Sequence, residues 1–303
     1  MSALQHDLLR PLMFSIAYRM LGSVAEAEDV VQDAFLRMHK SELDGLTIDS
    51  PDAFATTVTT RLAIDALRSA RVRREQYVGP WLPEPLVVSD DADPAHRLET
   101  DETVSTAFLV LLETLSPVER AVFLLREVFG YGYDEIASIV EKSEANCRQI
   151  LARAKRAVDE RRPRFDPDLT QQAELSRRFL AAAQEGNMAA LTQLLADDVV
   201  LVGDGGGKAP AIQKPMQGAV QVMRFMHGLA KQAIRTGMRV EHVAANGMQA
   251  WQVRGAGGEI LAVMTMEFED GQIHTLHNQL NPDKLQHLGP TGDLNAILGR
   301  TPP

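Results

Sequence analysis

Residues 133–158 read YDEIASIVEKSEANCRQILARAKRAV. Two amphipathic stretches flank the short break Glu141-Lys142-Ser143. Before it, Ile136, Ala137 and Val140 recur at helical spacing; after it, Cys147, Ile150, Leu151 and Ala154 do the same. This is the pattern of a helix-turn-helix. Arg148, Gln149, Arg153, Lys155 and Arg156 fall on the outer side of the second helix, with Arg161, Arg162 and Arg164 beyond. A recognition helix reads base edges from its first residues and meets phosphate with its flanks. Ser143, Glu144, Ala145 and Asn146 are short enough to approach bases. A plain helical hairpin shares the pattern, so the segment alone leaves both readings open. Cys147 reads as a small core residue, because no histidine lies near it in sequence.

Upstream, Ser116-Pro117-Val118-Glu119 is a helix start with a cap, a proline at the first position and an acid at the third. Residues 77–99 hold four prolines, a glycine and three aspartates, the composition of a linker. Trp81, Leu82 and Leu86 make that linker too apolar to be wholly solvated, so part of it is expected to dock on a neighbour. The stretch to about residue 76 predicts three packed helices. In the first, Leu8, Leu12, Ile16 and Met20 share a face. In the second, Ser23 caps and Ala27, Val30, Val31, Ala34, Phe35 and Met38 form the stripe. The third opens at Ser50-Pro51. Its end carries Arg61, Arg68, Arg71, Arg73 and Arg74 against Asp65 and Glu75. Such a cluster complements the helix dipole or neutralises phosphates.

Beyond residue 170 the texture changes. Two helices, within 170–196 and 218–233, alternate with strand-like runs. The last four runs are joined by Asn246-Gly247, GAGG and Asp270-Gly271, as in an antiparallel meander. The predicted fold is therefore multidomain: two all-α bundles, the second with the helix-turn-helix, then an α+β domain with a curved sheet. Before that meander stands VVLVGDGGGK, which invites comparison with a phosphate loop. A P-loop needs glycine five residues before its GK and Ser or Thr after it; here those positions are Val202 and Ala209. The G-x-G-x-x-G fingerprint fails as well, with Lys208 at its third glycine. A bent strand-end loop, with Asp204 and Lys208 as its chemical handles, is the remaining reading.

The 303 residues suffice for two or more cores, and the net charge of −10 excludes a uniformly basic surface without excluding basic patches. One cysteine excludes an internal disulfide or a Cys-based zinc cluster. No run approaches a membrane span and the start lacks a signal-peptide cleavage site, so a cytoplasmic location is expected.

Taken in order, SIAYRMLGSVAEAEDVVQDAFLRMHK, DAFATTVTTRLAIDALRSARVRRE and LSPVERAVFLLREVFGYGYDEIASIVEKSEANCRQILARAKRAV resemble regions 2 and 4 of extracytoplasmic-function RNA polymerase sigma factors. The resemblance implies three surfaces. Glu26, Asp29, Gln32, Asp33, Phe35 and Leu36, with Val30, would grip the β′ clamp helices of core polymerase. Residues 54–74, with Arg61, Asp65, Arg68, Arg71, Arg73 and Arg74, would melt and read the −10 element. Residues 133–156 would read the −35 element, with the β flap as second polymerase contact. The chain would then be a specificity subunit, with no catalytic residue, cofactor or metal of its own.

The extension resembles a subgroup with a fused SnoaL-like, or NTF2-like, cone. WLPEPL (Trp81, Leu82, Pro83 onward), DGGGK (Asp204, Gly205, Gly206, Gly207, Lys208) and NPDKL (Asn281, Pro282, Asp283, Lys284, Leu285) mark that subgroup. They imply a regulatory contact in cis, in place of a separate anti-sigma protein. Related cones include enzymes, which makes Asp204, His227, His242, Glu267, His274 and His277 candidate acid–base groups and a small ligand a further expectation. A sensor or vestigial enzyme, or a stand-alone DNA-binding repressor, are the competing readings.

Overall fold

The computed structural model describes residues 3–88, 104–160 and 169–299. The chain divides into two compact units, one from residues 1–76, 93–104 and 108–162, the other from 77–92, 105–107 and 163–303. Much of the expected linker therefore belongs to the second unit. Residues 89–103, the basic run Arg161, Arg162 and Arg164, and the tail from 300 lie outside the described residues.

In the first unit α1 (Ala3–Leu21), α2 (Val24–Leu43) and α3 (Pro51–Arg74) pack on one another. Ser23 and Ser50 cap α2 and α3 as predicted, and α2 buries the expected stripe from Ala27 to Met38. The face of α1 differs from the expectation. Leu9, Met13, Ile16, Ala17 and Met20 are buried, whereas Leu8 is 70% exposed. That helix is apolar on most sides, so spacing alone does not choose its face; packing against α2 and α3 does. After α4 (Thr106–Leu112), α5 (Pro117–Phe123) starts on the full Ser116–Glu119 capping box and runs on through a π-helical turn, Leu124–Val128. Two helices, α6 (Tyr133–Val140) and α7 (Glu144–Asp159), form the helix-turn-helix, with Glu141 left-handed at the break and Ser143 as cap. Cys147, Ile150, Leu151 and Ala154 are buried; on α6 the inward set is Ile136, Ile139 and Val140, with Ala137 only half-buried.

The second unit is built on a seven-stranded sheet of order β1-β4-β5-β6-β7-β2-β3. Strands β4 (Arg239–Ala245), β5 (Met248–Arg254), β6 (Ile260–Glu269) and β7 (Gln272–Gln279) make the predicted antiparallel meander. The sheet is nevertheless mixed: β2 (Leu195–Asp204) lies parallel to β7 and antiparallel to β3 (Met216–Gln217). One expected helix is two, α8 (Leu169–Glu185) and α9 (Met188–Leu194), because Gly186 turns left-handed and Asn187 caps the next helix. Together with α10 (Ala219–Thr236), they cover one sheet face, where Phe179, Leu191, Val222 and Met226 meet Trp251, Met264, Met266 and Leu276. Residues of opposite parity on the strands, Ala250 and Val263, pack on Val87, Leu285 and Leu288. Val87–Val88 is itself β1, paired with β4. A short helix, α11 (Leu294–Ile297), closes the described chain.

Candidate functional site

The centre of the second unit is Asp204, the last residue of β2, whose side chain is fully buried. A buried carboxylate must be matched by donors. Here Oδ1 accepts from Tyr77 Oη at 2.6 Å, and Oδ2 from the Leu82 amide at 2.8 Å, Lys284 Nζ at 2.7 Å and Gln279 Nε2 at 3.2 Å. Burial first, then the adjacent Asp204 charge, push the Tyr77 hydroxyl above its ordinary range, so it stays a donor. Lys284 Nζ donates a second bond to the Leu82 carbonyl at 2.6 Å and lies 4.3 Å from the Trp81 ring centre and 4.8 Å from that of Tyr77. Gln279 Nε2 also reaches the carbonyls of Leu82 and Pro83, at 3.3 and 3.2 Å. Asn281 Nδ2 donates to Tyr77 Oη at 2.9 Å, and its Oδ1 caps the turn of Pro282–Lys284. Farther along, Asn246 brackets Leu86 with two bonds and His287 meets the Pro85 carbonyl at 2.8 Å.

This geometry explains the glycine loop. Gly206 sits at φ +56°, and a Cβ there would overlap Asn281 Nδ2 and crowd Tyr77 Oη; one on Gly205 would overlap the Ala209 carbonyl. The glycines let the loop backbone come within reach of the linker. Lys208, expected as a handle, pairs with exposed Asp283 at the surface. Leu285 is buried beneath the turn. Thus Trp81, Leu82, Pro83, Asp204, Asn281 and Lys284 are brought together. Tyr77, Gln279, Asn246 and His287 complete the contact and were missed; Tyr77 and Gln279 adjoin two of the three motifs, which is the only signal the sequence held for them.

In the first unit, Asp29, Gln32, Asp33 and Leu36 are exposed along α2, Leu36 by 61%. Phe35 is buried, stacked on His6, and Glu26 pairs with Arg73. The arginines of α3 are engaged by protein groups. Arg61 donates to the carbonyls of Ser138 and Ile139 at 2.8 and 2.9 Å, at the end of α6 where the dipole favours a cation. Arg68 pairs with Asp65. Arg71 donates to the carbonyls of Glu113 and Leu115, and Arg74 to Glu113 and, at 2.6 Å, to the Leu21 carbonyl. Beside them Arg120 is 1% exposed, bonded to the Met20 carbonyl at 2.8 Å and to Glu113 at 2.7 Å. Burial lowers its pKa to about 10; burial raises the Glu113 carboxyl, but Arg120 and Arg74 outweigh that and hold it below its ordinary value. On the helix-turn-helix, Ser143 is spent as the cap; Glu144, Ala145, Asn146, Arg148 and Gln149 are exposed at the start of α7. Surface pairs link Arg148 to Glu144, Arg153 to Glu119 and Lys155 to Glu127. Arg156 donates back to the Ala152 carbonyl.

Apart from one adjacent pair, Glu267 and His277, the candidate acid–base groups do not converge. His227 bonds the Ala183 carbonyl, His242 meets the Trp251 ring edge, and His274 lies 3.9 Å from Asp198. Buried Glu267 and His277 are neighbours, 3.2 Å apart, but burial favours the neutral form of each, raising Glu267 to about 7 and lowering His277 to about 4. A raised carboxyl pKa stabilises the fold below the unfolded value and loses that contribution as pH rises through 7. Glu267→Gln is therefore expected to raise the melting temperature at pH 8 and leave it unchanged near pH 4.5; equal shifts at both would exclude a buried charge as the cause. Among the described residues no group of three or more His, Cys, Asp or Glu is placed to hold a metal, and no helix is long and apolar enough to cross a membrane.

Two helical modules, one ending in a helix-turn-helix, followed by an α+β cone with a clamped linker, define a sigma-type transcription factor with an added domain. Residues 6–73 match Sigma-70 region 2, residues 105–158 Sigma-70 region 4, and residues 176–275 the SnoaL-like domain. The chain belongs to the extracytoplasmic-function (ECF) RNA polymerase sigma factors. It is 36% identical over 294 residues to the ECF RNA polymerase sigma factor SigJ of Mycobacterium tuberculosis, covering 94% of this chain and 93% of that one. It is also 36% identical over 188 residues to a probable ECF sigma factor of the same species, SigI, covering 61% and 64% of the two. The crystal structure of M. tuberculosis SigJ superposes with a TM-score of 0.77 at 32% identity, covering 96% of this chain and 100% of that one.

Proposed function

We propose that this chain binds core RNA polymerase, directs initiation at promoters with its own −10 and −35 elements, and is regulated in cis by its C-terminal domain. The observation that carries the last part is the Asp204–Lys284 clamp. The segment joining the two promoter-reading regions is gripped at Tyr77, Leu82 and Pro83 by the added domain. Any rearrangement of regions 2 and 4 that draws on this segment must first break those bonds, a shift between held and released populations. A second restraint supports the reading: Arg61, Arg68, Arg71, Arg73 and Arg74, the cations assigned to the −10 strand, are occupied by protein groups. Core polymerase and promoter would compete for them. The exposed row Asp29, Gln32, Asp33 and Leu36 is the surface assigned to the β′ clamp helices, where acids complement a basic partner.

The test is transcription reconstituted with core polymerase, comparing the full chain with a truncation near residue 165 and with Trp81→Ala. The linker variant is expected to change promoter-dependent output without loss of folding; equal output from all three would exclude control in cis. Arg148→Glu with Arg153→Glu is expected to lower promoter-dependent transcription about tenfold or more, with helix content retained. Unchanged transcription would remove α7 from promoter reading. Tight binding of duplex promoter without polymerase would favour a repressor instead.

A further inference from the structure

One cation of the helix-turn-helix is held differently from the others. Arg153 and Lys155 pair with Glu119 and Glu127, on α5 and its π-helical turn, and Arg156 donates to its own helix. Arg148, one turn into α7, lies against an aromatic ring. Its guanidinium carbon is 4.5 Å from the centre of the Tyr133 ring, and it pairs with Glu144 at 2.9 Å. Arg126 reaches the same ring at 4.9 Å. It comes from the π-helical turn Leu124–Val128 and donates to the Tyr131 carbonyl at 2.8 Å. Tyr133 itself is half-buried at the first position of α6. Three successive elements therefore meet on one ring.

Stability alone does not explain this arrangement. The two guanidiniums repel each other, Arg148 is 55% exposed, and an exposed cation–π contact contributes little. The stack does fix where the guanidinium sits. An arginine free in solution loses rotamer freedom when it forks onto a guanine edge; one already laid on a ring has lost much of it beforehand. Among the described residues, the hydrogen bond of Arg148 runs from Nη2 to Glu144. That pair is exposed on both sides and weakly held, so the N–H fork stays available to a base. We propose that Tyr133 is a positioning residue for promoter reading: its ring, braced by Arg126, presets the Arg148 guanidinium for a guanine in the major groove. The proposal rests on the reading of α7 as the −35 helix, and it adds a residue of α6 that touches no base itself.

The test measures binding of the full chain, with core polymerase, to promoters in which each base pair of the −35 element is changed in turn. Arg148→Ala is expected to flatten the preference at one base pair, which identifies the base it reads. Tyr133→Leu keeps apolar bulk but removes the ring. It is expected to lower the preference at that same base pair about three- to tenfold and to leave the preferences elsewhere intact. Tyr133→Phe keeps the ring and should stay within about twofold of the unaltered protein. Adding Tyr133→Leu to Arg148→Ala should cost nothing further at that base pair, because the two residues act as one unit. Helix content checks folding, and Tyr133→Met serves as the second ring-less variant. Equal weakening on every promoter, a Phe variant that behaves like Leu, or additive losses in the double variant would each overturn the proposal. Arg148→Ala with every preference intact would instead remove α7 from promoter reading, and the proposal with it, so the two failures are told apart.

Discussion

Asp204→Ala is expected to release the linker. The substitution removes the carboxylate paired with the Lys284 ammonium, 7% exposed, and takes that acceptor from the Tyr77 hydroxyl, the Leu82 amide and one Gln279 bond. Removing one partner of a buried ion pair costs about 3–5 kcal/mol, which lowers the held-to-released ratio by roughly 10²–10³-fold or more. The readout is hydrogen exchange of residues 77–88, with the Leu82 amide as the sharpest probe. Unchanged protection there would mean that Asp204 does not hold the linker. Lys284→Met is expected to cost less, because Asp204 keeps three donors: the Tyr77 hydroxyl, the Leu82 amide and the Gln279 amide. The double change Asp204→Leu with Lys284→Met should recover part of the loss, since it removes both charges of the pair together.

The second large effect lies in the helical unit. Arg120→Leu removes the bond to the Met20 carbonyl and one of the two cations on Glu113. Arg74 still neutralises that carboxylate, so the expected cost is about 3 kcal/mol, the low end of the range for a broken buried pair. Urea unfolding followed by helix signal should show a clearly lower midpoint, with Arg120→Lys between the two because it retains one contact to Glu113. A midpoint shifted by less than about 1 kcal/mol would mean that solvent or a neighbouring side chain replaces the guanidinium. The same region should gain exchange at the Glu113–Leu115 turn, where Arg71 donates to two carbonyls.

Much of this protein could be read from its sequence. The capping box at Ser116, the break at Glu141-Lys142-Ser143 and the turns at Asn246-Gly247 and Asp270-Gly271 are local devices. Each acts through a few neighbouring residues, so periodicity and turn chemistry revealed the helix-turn-helix and the meander. Spacing also removed the phosphate loop. Three choices needed tertiary structure. The buried face of α1 was ambiguous because apolar residues surround that helix. The parallel pairing of β2 with β7 joins strands nearly seventy residues apart, and no local signal encodes such a pairing. The partners of Asp204 come from positions 77, 82, 279 and 284. A carboxylate in a glycine loop has the same sequence whether it meets a ligand or a linker. Only folding, which buries it and sets a tyrosine, an amide and a lysine around it, determined that here it is a clamp.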